Sequence, residues 1–241
     1  MPLKEILEHR RAVRCYDSAQ SIDTERVKAC IELATLAPSS SNMQLWECYH
    51  ITDKNLLTAM GKACLSQQSA TTAQQLVVFV TRQDLYRKHA QAAVEFELEN
   101  VRRNSPVEKH DKRSRRWAMY YGMVIPFLYA RCFGLLGLVR KTLAQCVGLF
   151  RPITRQVSES DTRVVVHKSC ALAAQTFMLA MSEAGYDTCP LEGFDSWRIK
   201  RLLHLPCGAE INMVVSCGIR LPKGVWGDRY RQPFDQTYHR I

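Results

Sequence analysis

The chain has 241 residues, 46% of them apolar and 23% charged, ordinary values for one folded globular domain, with or without an insertion. Its net charge of +10 is confined to one segment: Arg102 to Arg155 carries twelve Lys and Arg against only Glu108 and Asp111, so the rest of the chain sums to zero. Ten cysteines without a C-x-x-C pair or zinc-site spacing, and a start (Met1-Pro2-Leu3-Lys4-Glu5) without an apolar signal core, argue against a disulfide framework, a zinc site and secretion, and predict reduced thiols in the cytoplasm.

Leu3, Ile6 and Leu7 recur at helical spacing and predict a first helix running toward Arg10. Asp23 or Thr24 can cap a second, with Val27, Cys30, Ile31 and Ala34 on one face and Pro38 as its stop. The run Ala37-Pro38-Ser39-Ser40-Ser41-Asn42-Met43-Gln44-Leu45 is then a loop, and 46–51 a strand. Asp53 caps a helix reaching about Cys64, 76–80 is a buried strand, and Gln83 to about Arg103 is helical.

The pattern changes over 104–160. Trp117 to Ala130 is uncharged and broken by Pro126; 132–139 and 142–150 follow, separated by Arg140-Lys141. These are apolar helical pieces punctuated by cations, none reaching the roughly 20 apolar residues that a bilayer span needs. Val164 to Ala184 then reads as a long helix, apolar on most faces, with small residues that let another helix approach and Gly185 as its stop. Asp195 caps a short helix through Leu203, and 211–219 is a strand.

No G-x-G-x-x-G, P-loop or G-x-S-x-G occurs, which weakens dinucleotide-fold, nucleotidase and serine-hydrolase readings. The seven histidines show no paired helical spacing, so no metal is expected, and His167 reads as a core or interface residue.

The residues with chemistry fall at the two ends of the chain. Arg10, Arg11 and Arg14 offer three guanidiniums within five residues, suited to forked hydrogen bonds with phosphate. The hydroxyls and amides of 39–44, ending in Trp46, suit polyol hydroxyls and the polar edge of a planar ring. A ligand with an anionic end and such a ring describes flavin mononucleotide (FMN).

Two later motifs join these: Gly185-Tyr186-Asp187-Thr188-Cys189-Pro190-Leu191-Glu192-Gly193, and Arg229-Tyr230-Arg231-Gln232-Pro233. In these four motifs, taken in order, the chain resembles the FMN-dependent nitroreductase family over roughly 1–82 and 160–241. The resemblance implies an α+β fold: a central, mostly antiparallel sheet flanked by helices, one domain over 1–241 carrying a basic and apolar helical insertion at 104–160. It implies a homodimer with the flavin at its interface and the long helix at the contact. Arg10, Arg11, Arg14, Arg229 and Arg231 would hold the phosphate and polar tail. Pro38, Ser39, Ser40 and Asn42 would line the ring and ribityl chain, and Gln67 and Gln68 would reach the partner's flavin. Pro190, Leu191, Glu192 and Gly193 would lie over the ring, with Glu192 and Gly193 as the catalytic pair through backbone N–H groups near flavin N5. The implied activity is ping-pong hydride transfer from NADH or NADPH through N5 to a conjugated acceptor, a nitroaromatic or a quinone.

Two departures weaken the implied flavin affinity. Ala12 stands where the family often has a hydroxyl, and Leu45 where it usually has proline, leaving one phosphate hydrogen bond fewer and a looser turn. Each segment also has a plainer reading: an exposed basic helix end, a solvated Ser/Asn turn, a polar surface turn at Gln67, and a turn in which Gly193 supplies an unusual backbone angle. Two rival functions stay open: a quinone reductase docked on a membrane surface through 112–155, peripheral rather than purely cytoplasmic, and a flavin-binding protein without turnover. The basic stretch at 102–155 suits an anionic partner, anionic lipid ahead of nucleic acid because no nucleic-acid motif accompanies the charge. Its plainer reading is an extra helical pair that covers the active site or extends the dimer contact, with its cations solvated.

Overall fold

The computed structural model describes residues 2–241. Four antiparallel strands, β1 (Trp46–Ile51), β2 (Gln75–Thr81), β3 (Asp187–Leu191) and β4 (Glu210–Gly218), form one sheet in the order β1-β2-β4-β3. β2 is buried along its whole length, and its period of two sends alternate residues to opposite faces. Val77 and Phe79 meet α2 (Thr24–Ala34) and α9 (Glu159–Glu183) through Val27, Cys30, Ala173 and Phe177. Leu76, Val78 and Val80 meet α3 (Lys54–Ala63) and α10 (Ser196–Leu202) through Met60, Ala63 and Ile199. This is the α+β architecture that the sequence implied.

Helix starts follow their caps. Asp23, Asp53 and Asp195 each accept a backbone N–H in the first turn of α2, α3 and α10. α9 starts five residues before the predicted Val164, because Ser158 and Asp161 form a capping box. That signal is polar and lies outside the apolar pattern. β3 was not foreseen: its five residues include Pro190, which the fold tolerates because β3 is the last strand of the sheet. Gly185, at φ 79°, ends α9.

After α5 (Tyr86–Asn104), the segment predicted to break at Pro126 runs on instead. α6 (His110–Met119) passes through a π-helical turn, Tyr120–Val124, into α7 (Ile125–Tyr129). The wider turn accommodates a residue that lacks an N–H and crowds the preceding turn. Tyr121, Ile125 and Tyr129 pack with Met43, Leu45, Ala90 and Val166 in a third cluster beneath this segment. The two pieces predicted on either side of Arg140-Lys141 are one helix, α8 (Leu135–Val147), because Arg140 turns inward and is only 2% exposed. The remaining helices are the short α1 (Leu3–His9), α4 (Gln68–Thr71) and α11 (Phe234–Thr237).

Candidate functional site

The chain leaving α1 is extended and lies beside β3. Ala12 forms a parallel bridge with Thr188, and Val13 N donates to the Thr188 carbonyl at 3.3 Å. Val13 is fully buried and Tyr16 nearly so, which fixes the register of this segment. Arg14 then reaches Cys189, its Nη1 lying 3.8 Å from Sγ, and its guanidinium stacks over Trp226 at 5.6 Å. From the C-terminal segment, Arg229 donates to the carbonyls of Leu7, Glu8 and Arg10 at 2.8–2.9 Å, closing the end of α1. Arg11 donates to the Gly227 carbonyl and Arg231 to that of Tyr230.

Arg10 shows what this gathering costs. Burial pushes its pKa down, and the nearby charges of Arg229, Arg231 and Arg11 push it down further. Among the described residues no carboxylate pairs with Arg10, Arg11, Arg14, Arg229 or Arg231. Both ends of the chain thus bring cations to one corner without an anion to answer them. The neighbouring Cys189 is no nucleophile: burial raises its pKa, against the pull of Arg14, a Ser69 hydrogen bond and Arg10.

β3 carries this corner directly into Pro190, Leu191, Glu192 and Gly193. Gln67 joins them from its own chain, donating from Nε2 to the Gly193 carbonyl at 2.7 Å and to that of Cys64 at 3.1 Å. Gly193 is not among the residues with positive φ, so its plain role as a turn residue with an unusual angle does not hold. Space is the constraint: a Cβ there would lie 3.3 Å from Gln67 Nε2.

The third group stands apart. Ser39, Ser40 and Asn42 lie in a tight turn with Ser41, Asn42 and Gln44 at φ of about 50° (52°, 50° and 47°). Ser39 Oγ accepts Gln44 N at 3.0 Å, and Ser40 N donates to Ser169 Oγ at 3.1 Å. The Tyr121 hydroxyl donates to the Ser41 carbonyl at 2.9 Å, and Ser41 Oγ is 2.7 Å from the Tyr120 hydroxyl. Leu45 is buried in the third cluster, so anchoring from beneath supplies the stiffness that a proline would have given. A cleft of about 740 Å³ opens here, lined by Asn42, Gln44, Trp46, His89, Phe96 and Tyr121 among others. Sequence reasoning missed the tyrosines, Ser169 and Trp226; each lies far along the chain from the motif it supports and carries no local signal.

This loop and the arginine corner sit diagonally across the sheet. Trp46, at the start of β1, is level with Thr81 and Glu210, whereas Thr188 in β3 is level with Cys217. At usual strand dimensions they are separated by roughly 23 Å along β4 and about 14 Å across the sheet. One chain brings together Arg10, Arg11, Arg14, Arg229, Arg231, Gln67 and Pro190 to Gly193, and leaves Pro38, Ser39, Ser40 and Asn42 at the far corner.

Comparison with known proteins matches residues 7–219 to the model of the Nitroreductase family. The chain is similar to MhqN of Bacillus subtilis, which carries a provisional NAD(P)H nitroreductase name, at 22% identity over 96% of this chain and 95% of that one. It is similar to protein DrgA of Synechocystis at 24% identity, covering 90% and 83%. A protein of Exiguobacterium sibiricum solved in complex with FMN shares the fold, with TM-score 0.67, 21% identity and coverage of 100% and 98%.

Proposed function

The chain belongs to the nitroreductase family, and on that premise we propose that it is an FMN-dependent NAD(P)H oxidoreductase. The observation that carries this reading is the cluster of Arg10, Arg11, Arg14, Arg229 and Arg231, without a carboxylate partner among the described residues, beside the Pro190–Gly193 segment. Burial and then the neighbouring arginines lower the Arg10 pKa; a phosphate there would offset both, and the residues therefore fit the cofactor. The names and ligands of the relatives point the same way.

FMN, when bound, supplies the hydride chemistry. The chain's own residues bind and orient. Arg10 and Arg14 would hold the phosphate in charge-assisted hydrogen bonds, and Arg229 is committed to holding the backbone that presents Arg10. Gln67 fixes the Gly193 carbonyl, and the Glu192 and Gly193 N–H groups would stabilise the charge that the cofactor gains on reduction. Cys189, kept protonated by burial, takes no part as a nucleophile.

The loop at 38–44 completes the site from a second copy. A two-fold dimer turns the far corner of one protomer toward the arginine corner of the other, and this is the arrangement we infer for a homodimer with flavin at its interface. The acceptor is a small conjugated molecule, a nitroaromatic or quinone. It takes the place vacated by oxidised nicotinamide, so steady-state kinetics are ping-pong.

The test is a titration with FMN and with riboflavin. Arg10→Ala is expected to weaken FMN binding by about tenfold to a hundredfold, the worth of a charge-assisted hydrogen bond, and to leave riboflavin binding unchanged. Equal loss for both ligands would contradict the phosphate role. Flavin that binds but is not reduced by either nicotinamide would leave a binding protein without turnover.

A further inference from the structure

We propose that α8 docks the protein on an anionic lipid surface, lying in the interface with its apolar face toward the acyl chains. The helix is amphipathic in the reverse of the usual sense. It buries Gly137, Arg140 and Ala144 against the protein, and exposes Leu135, Leu138 (64% exposed), Val139 and Leu143. At 3.6 residues per turn these four share one face, opposite the buried stripe, and a helix that ends in water turns such a face inward.

The packing leaves no room for the alternative. Gly137 lies so close to the start of α9 that a Cβ would come within 2.8 Å of Glu159 N. At the other end, a Cβ on Gly148 would meet the Arg155 guanidinium at 2.5 Å, and Arg155 is held there by the Gly148 carbonyl and Gln145. A leucine side chain cannot occupy position 137 of this inner stripe.

The flanks extend the same face. The Glu159 carboxylate accepts from Cys132 N and Gly134 N, both at 3.0 Å, and fixes the turn before α8. Phe133, at φ 47°, stands fully out of that turn. Leu149 and Phe150 follow the helix, exposed as well.

Charge selects the occupant. Along α8 and the flank that follows it, Lys141, Arg151 and Arg155 are cationic with no carboxylate partner among the described residues, and from Lys112 to Ser158 there is no Asp or Glu. Set against itself across a two-fold axis, this patch would oppose like charges, with no carboxylate in the segment to offset them. A lipid headgroup supplies the phosphate, and the boundary below it accepts leucine and phenylalanine. At 13 residues the helix is about 20 Å long, short of the roughly 30 Å hydrocarbon core, so it lies along the surface and does not cross.

The full-length protein is sedimented with phosphatidylcholine vesicles, with and without phosphatidylglycerol, beside the variant Leu138→Asn/Leu143→Asn/Phe150→Asn. Far-UV circular dichroism and the flavin spectrum serve as controls, since all three side chains are exposed. Association with the phosphatidylglycerol vesicles is expected, weaker with phosphatidylcholine alone and reduced about tenfold or more in the variant. No association with anionic vesicles, equal association of the variant, or indifference to phosphatidylglycerol would overturn the proposal. So would a fall in solution mass in the variant without any vesicle binding by the parent, which would assign the patch to self-contact.

Discussion

Single residues show how the site depends on neighbours the sequence hides. Arg10 was singled out because it stands with Arg11 and Arg14 within five residues and because Arg229 and Arg231 are available at the other end of the chain. That its charge is answered by no carboxylate, and that Arg229 is spent on backbone carbonyls, only the fold reveals. Gly193 was legible as a motif glycine, but its reason is contact with Gln67 and not backbone angle. Gln67→Leu, which removes the amide, is therefore expected to lose the 2.7 Å hydrogen bond to the Gly193 carbonyl. The cost is about 1 kcal/mol in flavin binding, roughly fivefold, measured by quenching of flavin fluorescence. A variant that binds flavin as the parent does would separate Gln67 from the site.

At the scale of elements, one carboxylate joins the 104–160 segment to the sheet. Glu210, at the start of β4, accepts from Arg131 after α7 at 3.0 Å, from Arg163 in α9 and from His167 at 3.2 Å. Burial works against its ionised form, but the hydrogen bonds from His167, Arg163 and Arg131 outweigh it and hold its pKa down at about 2, from an ordinary 4.5. A depressed carboxylate pKa stabilises the fold fully above 4.5, and that stability is lost as pH falls through 4.5 toward 2. Arg131 and Arg163 are partly open to water, so the contribution is about 2 kcal/mol rather than the whole shift. Urea denaturation of Glu210→Gln is expected to show that loss at neutral pH and a flatter profile between pH 4.5 and 2; an unchanged acid profile would refute the clamp. His167, read from sequence as a core or interface residue, belongs to this clamp. Pro126 misled because a π-turn absorbs it, and α8 misled because its arginine faces in and its leucines face out.

For the whole molecule, most helices and three of the four strands were readable from caps and periodicity, and the order of motifs was enough to imply the family. The diagonal separation of the two halves of the site was not readable, because it depends on the order β1-β2-β4-β3, to which local pattern is blind. Sharing of the site between copies has a direct check. A chain carrying Arg10→Ala/Arg14→Ala and a chain carrying Ser40→Ala/Asn42→Ala are each expected to lose flavin. Mixed and re-equilibrated, they should recover about a quarter of the parent's sites, since half the dimers are mixed and each of these holds one intact site. No recovery would place both halves of the site within one protomer.

The central claim rests on flavin reduced by a nicotinamide. The purified protein, supplied with FMN and titrated anaerobically with NADH and then NADPH, should show a flavin absorbance spectrum that bleaches with at least one of them and returns when a quinone or nitroaromatic is added. A protein that shows no flavin spectrum even after reconstitution would contradict the account.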